Sequence, residues 1–395
     1  MGTVFALKLL SFSFNNRIHY TASDPIKMLT VYNDTIIYVL CPARIVTGGI
    51  EAVHQLVHKL RQFGHAAAIL PTPRVSNPVL LQYRIYDVAF ADHIIDTKRN
   101  ILITTEVNPR ALDSYHSIQK ALWWLSVDNH EALQDKFDFE SSRAKDIVHF
   151  VQSAYAADFL QAQGLKTFYF LTDYLHPTYF RQAKVQHKNN VVLYTPVKGA
   201  QHHIQQLMQA DASLQWLPLT GMIRKLHAKT MAQGKVYVDF GRHPGKDRQP
   251  REAVVNGCCV IVGLAGAARF KDDLPIPDRY KFDLQTRQDR NILDTIHRCL
   301  GDYNNTIHDF AAYADCVHQD ERRFEEEIKS IFGVEPHKSK SQSRIILGNI
   351  FMFIQQNNLL TTLRGLMNEL LPLSITGAAK GLYRRLSAKI VKARH

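Results

Sequence analysis

Five potential cations, Arg242, His243, Lys246, Arg248 and Arg251, fall within ten residues, in a stretch that also holds Gly241, Pro244 and Gly245. Cations in a glycine-bearing loop ahead of a helix suit an anion, because free backbone N–H groups and the helix dipole attract negative charge there. A phosphate or diphosphate fits that description; a solvated basic loop is the other reading. Glu252 follows at once, and its carboxylate can either accept hydrogen bonds from hydroxyl groups or act as a charge partner for the first helical turn. Four more groups, Glu106, Asp128, His130 and Asp173, follow strand-like runs, at the carboxyl ends where functional side chains gather in parallel sheets. Each could take a proton from a hydroxyl, and each could equally cap a loop. Trp123-Trp124 lies beside Asp128 and suits either a sugar ring or a core. His202-His203 lacks partners at metal-ligand spacing and reads as helix surface. Cys258-Cys259 opens an apolar run and reads as core.

The elements around these groups follow one rhythm. Thr35–Leu40 is a continuous β-branched and aromatic run, the pattern of a strand buried on both faces. Thr47-Gly48-Gly49 then leads into a helix with Ile50, Val53, Leu56, Val57, Leu60 and Phe63 on one face, stopped by Gly64. Ala66–Leu70 is the next strand, so the unit is βαβ and the sheet parallel. Further strands are expected at Ile101–Thr105, Ala121–Val127, Ile147–Gln152 and Thr167–Leu171. A second series follows at Val191–Tyr194, Leu214–Leu219, Val236–Phe240 and Cys258–Val262. A short helix is expected to start near Pro250, where a missing N–H costs nothing, and to end at Asn256-Gly257. Longer helices are expected over about 291–300 and 306–331. The expectation is an α/β protein of two Rossmann-like domains facing a central cleft. Residues 1–34 form an extension, 35–185 the first domain, 186–336 the second, and 337–395 a basic amphipathic helical tail.

Charge is distributed unevenly along the 395 residues. The net charge is +12, but residues 337–395 carry ten Lys and Arg against the single acid Glu369, a net +9 that leaves +3 on residues 1–336. Leu382, Leu386 and Ile390 recur at spacings of four among the tail's cations, a pattern that suits an anionic membrane surface or a partner helix. Few aromatics interleave with those cations, which disfavours nucleic acid. Five scattered cysteines without a C-x-x-C pair speak against structural zinc or a disulfide framework. Val4–Phe14 is a weak signal-peptide candidate, and no run reaches the ~20 apolar residues of a spanning helix. A cytoplasmic protein, peripheral on the inner face of the membrane, is expected.

The stretch from Asp239 to Ile261 resembles the nucleotide-sugar motif of GT-B glycosyltransferases, in particular the group 1 (family 4-like) relatives that build bacterial capsules and O-antigens. Glu252-Ala253, Gly257 and the strand Cys258–Val262 carry the resemblance. Thr47-Gly48-Gly49 is similar to that family's N-terminal glycine loop, Lys198-Gly199 to its Lys-Gly, and Gly263–Ala268 to the loop over the donor sugar. The resemblance implies that Glu252 binds the donor ribose, that the Lys198 ammonium neutralises the diphosphate, and that glycine at Gly49 lets backbone amides approach the acceptor or the donor phosphates. Lys246 and Arg248 of the basic loop are expected to join Lys198 at the diphosphate, so that Gly49, Lys198, Lys246, Arg248 and Glu252 form the expected donor site. Where many members carry a second glutamate, this chain has Pro244 with His243 beside it. Asp128 and His243 are the expected catalytic residues; Glu106, His130 and Asp173 are acceptor-side candidates. No Asp-x-Asp is present, and neither a metal nor another cofactor is expected.

The expected function is transfer of a sugar from a nucleotide-activated donor to a growing capsule or lipopolysaccharide O-antigen. The expected partners are therefore a nucleotide sugar, a lipid-linked or polysaccharide acceptor, and an anionic membrane through the tail. A nucleotide-sugar epimerase or hydrolase on the same fold is a rival. So is a non-catalytic glycan- or nucleic-acid-binding protein, for which steep salt dependence without nucleotide-diphosphate affinity would speak.

Overall fold

The computed structural model describes residues 28–75, 80–141, 144–181, 187–196, 201–286 and 288–334. Lys198 and Gly199, and the 337–395 tail expected to form a basic helix, lie outside the described residues. The first lobe runs β1 (Ile36–Pro42), α1 (Gly48–Gln62), β2 (Ala66–Thr72), β3 (Ala89–Phe90), β4 (Ile101–Thr105), β5 (Gln119–Trp124), α2 (Val127–Glu131), β6 (Val148–Val151), α3 (Ala154–Ala162) and β7 (Tyr169–Phe170). Its seven strands pair in parallel in the order β3-β2-β1-β4-β5-β6-β7. The apolar runs of β1, β4 and β5 are buried because both faces of this sheet are covered. Trp123 and Trp124, adjacent on β5, point to opposite faces, each fully buried in a separate core. They serve packing.

The second lobe runs β8 (Asn189–Tyr194), α4 (Gln201–Ala210), β9 (Gln215–Pro218), α5 (Arg224–Gln233), β10 (Gly234–Asp239), α6 (Arg248–Val255), β11 (Cys259–Gly263), β12 (Lys281–Phe282), α7 (Asp289–Gly301), α8 (Tyr303–Thr306) and α9 (Ala311–His318), and is followed by α10 (Asp320–Phe332). Its parallel sheet has the order β12-β11-β10-β8-β9. Chain direction across each sheet reverses once, between β1 and β4 and between β8 and β10. The loops after β1 and β10, those that carry Thr47–Gly49 and the cation cluster, therefore open at topological switch points, where ligands bind in such sheets.

Local signals explain the ends of α1. The Thr47 side chain accepts from the Ile50 N–H at 3.2 Å, and Gly64, at φ +92°, lets His65 N–H bond back to the Leu60 carbonyl at 3.0 Å. Helix α6 starts at Arg248, two residues before the expected Pro250. Proline at its third position still breaks no bond, since the first four N–H groups of a helix have no partner within it. The helix ends at Asn256-Gly257, with Gly257 at φ +75°.

Two expectations need correction. The helix expected over 306–331 is broken into α8, a 3-10 turn at Ile307–Phe310, α9 and α10. The expected second domain also loses its last helix. Helix α10 crosses back to the first lobe, where Phe324, Ile328 and Phe332 are buried in the core on one face of the seven-stranded sheet. Phe324 stacks on Trp123 with ring centroids 6.4 Å apart, and Lys59 of α1 meets Glu321 and Glu325 at 2.6 Å each. Apolar residues of α10 at a three-to-four spacing thus find their partner sheet in the other lobe.

This crossing yields a prediction. Phe324→Ala should cost about 3–5 kcal/mol, as for other large aromatic truncations in a core. Denaturant unfolding should show it, with loss of the first-lobe tryptophan signal; a loss below about 1 kcal/mol would mean that α10 does not hold the lobes together.

Candidate active site

The cation cluster lies between the lobes, and most of it is already paired. Lys246 Nζ donates to Asp320 at 2.7 Å, and both groups are buried. Arg251, fully buried, bonds Asp173 at 2.7 Å and Asp320 at 3.2 Å. Arg248 reaches across to Glu51 of α1 at 2.6 Å and to Asp173 at 2.8 Å, and Arg224 of α5 also meets Glu51, at 2.9 Å. Burial alone would raise the pKa of Asp173, but the charges of Arg251, Arg248 and Lys246 hold it below the ordinary carboxylate range. Asp173 is therefore an ion-pair anchor, and its expected role as a proton acceptor is corrected. Lys246 and Arg248, expected to hold a donor diphosphate, are likewise bound to carboxylates of the chain itself.

The glycines near the network admit protein. A Cβ on Gly48 would come within 3.0 Å of the Arg248 side chain, and one on Gly49 would contact Leu125 at 3.4 Å. Gly245 is more demanding: a Cβ there would lie 2.0 Å from the Leu125 carbonyl oxygen. The Val127 N–H donates to the Pro244 carbonyl at 2.8 Å, so the β10–α6 loop is seated on the end of β5. On the other side of the loop, Asp273 of the second lobe accepts the Ala154 and Tyr155 N–H groups at 2.7 and 3.0 Å, capping α3.

His243 is 1% exposed. Its Nδ1 lies 3.1 Å from Asp247 and its Nε2 3.9 Å from Asp239. Asp239, His243 and Asp247 are metal-ligating residue types gathered within 4.8 Å. Each ring nitrogen faces a different carboxylate, however, so the imidazole links two acids instead of converging with them on one ion. The ring is buried with both nitrogens turned to carboxylates of its own loop, and its expected catalytic role is corrected to one of shaping the loop.

Of the five cations, Arg242 is the exposed one. It lines a cavity of about 570 Å³ at the carboxyl ends of β10, β11 and β12, with Phe240, Leu264, Asp283, Leu284 and, from α4, His203. The volume falls in the range of small-molecule sites. Glu252 does not line this cavity: it is buried beside Tyr179 and His227, the latter at 3.9 Å. Burial outweighs the nearby Arg248 and lifts its pKa to about 7. His203, read as helix surface, and Asp283 and Leu284 were missed. Two-residue β12, which positions the last two, is too short to carry a period.

The first-lobe groups divide between core and cleft. His130 is fully buried against Trp124 at 4.8 Å, with Nδ1 3.2 Å from the Glu106 carbonyl, so it packs the core and its acceptor-side role is corrected. Glu106, 2% exposed, accepts the Leu125 N–H at 2.9 Å, and burial pushes its pKa up to about 8. Asp128 is half-buried at the start of α2 and accepts the Tyr155 hydroxyl at 2.8 Å. Tyr155 in turn lies under Arg269 of the second lobe, 5.7 Å from ring centroid to guanidinium. The neighbouring Val127–Pro244 bond holds Asp128 beside the loop that carries Arg242. A half-exposed carboxylate of one lobe thus stands next to the loop whose Arg242 lines a cavity of the other.

No protein-family model matches the chain, and no curated protein sequence matches it. Solved structures do. Anabaena HepE in complex with UDP and glucose superposes with a TM-score of 0.51 at 12% identity, over 75% of this chain and 98% of that one. The pneumococcal O-GlcNAc transferase GtfA in complex with UDP and GlcNAc gives 0.50 at 10% identity, over 76% and 98%. The fold is therefore GT-B, two parallel α/β lobes about a cleft, as the resemblance implied.

The Glu106 environment makes a pH-dependent prediction. The folded protein keeps its proton up to about pH 8, whereas an ordinary glutamate releases it near 4.5. The folded state thus binds more protons across that window, and stability falls as pH rises through it. Glu106→Gln removes this contribution, so the variant's unfolding midpoint should decline less between pH 5 and 8. Parallel curves would mean that Glu106 is ionised in the folded state.

Proposed function

We propose that this GT-B chain is a glycosyltransferase that moves a sugar from a nucleoside diphosphate to a hydroxyl of a growing bacterial surface polysaccharide. The observation that carries the reading is the cavity at the β10–β12 edge with Arg242 at its wall, on a loop that the Val127–Pro244 bond seats beside Asp128 of the other lobe. Support also comes from HepE and GtfA, whose structures on the same fold hold UDP with glucose and UDP with GlcNAc. The donor nucleotide lies along Phe240, Leu264 and Leu284, with its diphosphate at Arg242.

In this reading Asp128 takes the proton of the acceptor hydroxyl. The freed oxygen attacks the anomeric carbon, the bond from that carbon to the phosphate oxygen breaks, and the electron pair leaves with the diphosphate. Arg242 stabilises the charge that builds there, and no metal is needed for that role. A base on the acceptor belongs to a displacement that inverts the anomeric carbon. His243 and Gly245 are positioning residues that keep the loop against the first lobe. Capsule or O-antigen chains on a lipid carrier are the proposed acceptors, and the 337–395 tail, with its net +9, is proposed to hold the protein to the cytoplasmic face of an anionic membrane.

Nucleoside diphosphate sugars, UDP-linked first, should raise the melting temperature of the protein. Arg242→Ala should weaken UDP-sugar affinity by about 10–100-fold, the value of one charge-assisted contact, without lowering the melting temperature of the free protein. Asp128→Asn should bind donor as the wild type does and lose transfer. Calorimetry with the donor and product analysis with a polysaccharide acceptor check both. Sugar release without acceptor would support a hydrolase instead, and full turnover in Asp128→Asn would remove that residue from the mechanism.

A further inference from the structure

Three segments at the mouth of the cleft converge on one buried carboxylate. Glu51, in the first turn of α1, accepts the Tyr86 hydroxyl at 2.8 Å and Arg224 of α5 at 2.9 Å. Tyr83 holds the same loop to the start of α1, its hydroxyl donating to the Thr47 carbonyl at 3.1 Å. With Tyr83 and Tyr86 anchored inward, Leu81 and Ile85 on the same short turn face solvent. Ile45 and Val46 do so just before Thr47, and Ile223 and Leu226 at the start of α5. Exposures run from 49% for Ile45 to 77% for Leu81. These six are nearly half of the large apolar side chains exposed among the described residues, gathered around a single group.

The same segments carry Arg44, Arg84, Lys225 and Lys229, all exposed. Their acids are accounted for: Glu51 is buried under two arginines, and the adjacent Asp87 pairs with Arg61. Exposed apolar groups set among unopposed cations form the composition that suits the boundary between acyl chains and anionic headgroups. A second copy of the chain would bring the four cations face to face, which like-charge repulsion disfavours.

We propose that this mouth is a membrane contact on the folded body, distinct from the tail. Leu81, Ile85, Ile223 and Leu226 enter the interfacial layer of an anionic bilayer, and the four cations lie among its lipid phosphates. The contact sets the cleft open side toward the bilayer, from which a lipid-borne ligand can enter. It does not depend on the transfer reaction, so either reading can fail alone.

The test uses the full chain with Ile223→Trp and reads its signal as the difference from the wild type, whose three tryptophans are the fully buried Trp123 and Trp124 and the half-buried Trp216. Vesicles of phosphatidylglycerol with brominated acyl chains should quench the added fluorescence and shift it to the blue, and vesicles of phosphatidylcholine should not. Salt should reverse the effect. Lys225→Glu with Lys229→Glu should weaken vesicle binding on the order of tenfold or more. Flotation with the vesicles but no quenching at position 223 would mean attachment elsewhere, through the tail, and would overturn the proposal. A concentration-dependent blue shift without vesicles would overturn it too, in favour of a protein occupant. Leu81→Trp serves as a second reporter should Ile223→Trp fail to fold.

Discussion

Asp173, without solvent exposure, between Arg248 and Arg251 is the contact on which the arrangement of this chain depends. A carboxylate taken out of water costs several kcal/mol unless its partners are close and well oriented. Here the partners come from the other lobe, and each of them needs a further acid. Arg248 takes Glu51 and Arg251 takes Asp320, which also holds Lys246. Gly48 is small so that Arg248 can pass, and α10 begins at Asp320 where the chain returns to the first sheet. One buried charge thus fixes the spacing of α1, α6 and α10.

That constraint changes what the basic loop is for. A loop with five cations ahead of a helix reads as an anion site, but Lys246, Arg248 and Arg251 are neutralised within the fold, and His243 lies between Asp239 and Asp247. Arg242 is the member left facing a cavity. Pairing the rest removes most of the field that a cluster of that size would otherwise project, so specificity for an anion falls to one guanidinium and the backbone around it. Lys198, which the resemblance assigns to the diphosphate, lies outside the described residues.

The parts of this picture legible in sequence are those with local causes. Thr35–Leu40 reads as a doubly buried strand because each of its residues obeys the rule, and Gly64 and Gly257 stop helices because each adopts a positive φ. The pairing of Lys246 was not legible: Asp320 lies 74 residues away, and Arg248 and Glu51 are 197 apart. Nothing in a run of basic residues says whether its counter-charges are phosphates or the chain's own carboxylates. The cavity was hidden for a different reason. Its walls at Asp283 and Leu284 follow a strand of two residues, and His203 belongs to a helix whose polar face looked like any solvated one. Helix α10 had the right period for an amphipathic helix, but period does not say which sheet receives it.

The network also divides by what would happen if the lobes moved apart. Asp173 follows β7 where the chain leaves the first lobe, and Asp320 opens α10 where it comes back, so both chain crossings meet at Arg251. Groups at the crossings stay near one another through a hinge rotation, because rotation displaces least what is closest to its axis. Glu51 lies farther along the cleft, on α1, and its bonds to Arg224 and Arg248 join surfaces that a rotation would separate. Opening would expose Glu51 and Arg224 to water, which solvates them, while Arg248 keeps Asp173, so the loss costs far less than an unpaired charge left buried. The Arg251 cluster is therefore the fixed part of the clasp and Glu51 the part that can release. The side chains around Glu51 are also those of the cationic, apolar mouth, so the separable half of the clasp is the half that borders the mouth.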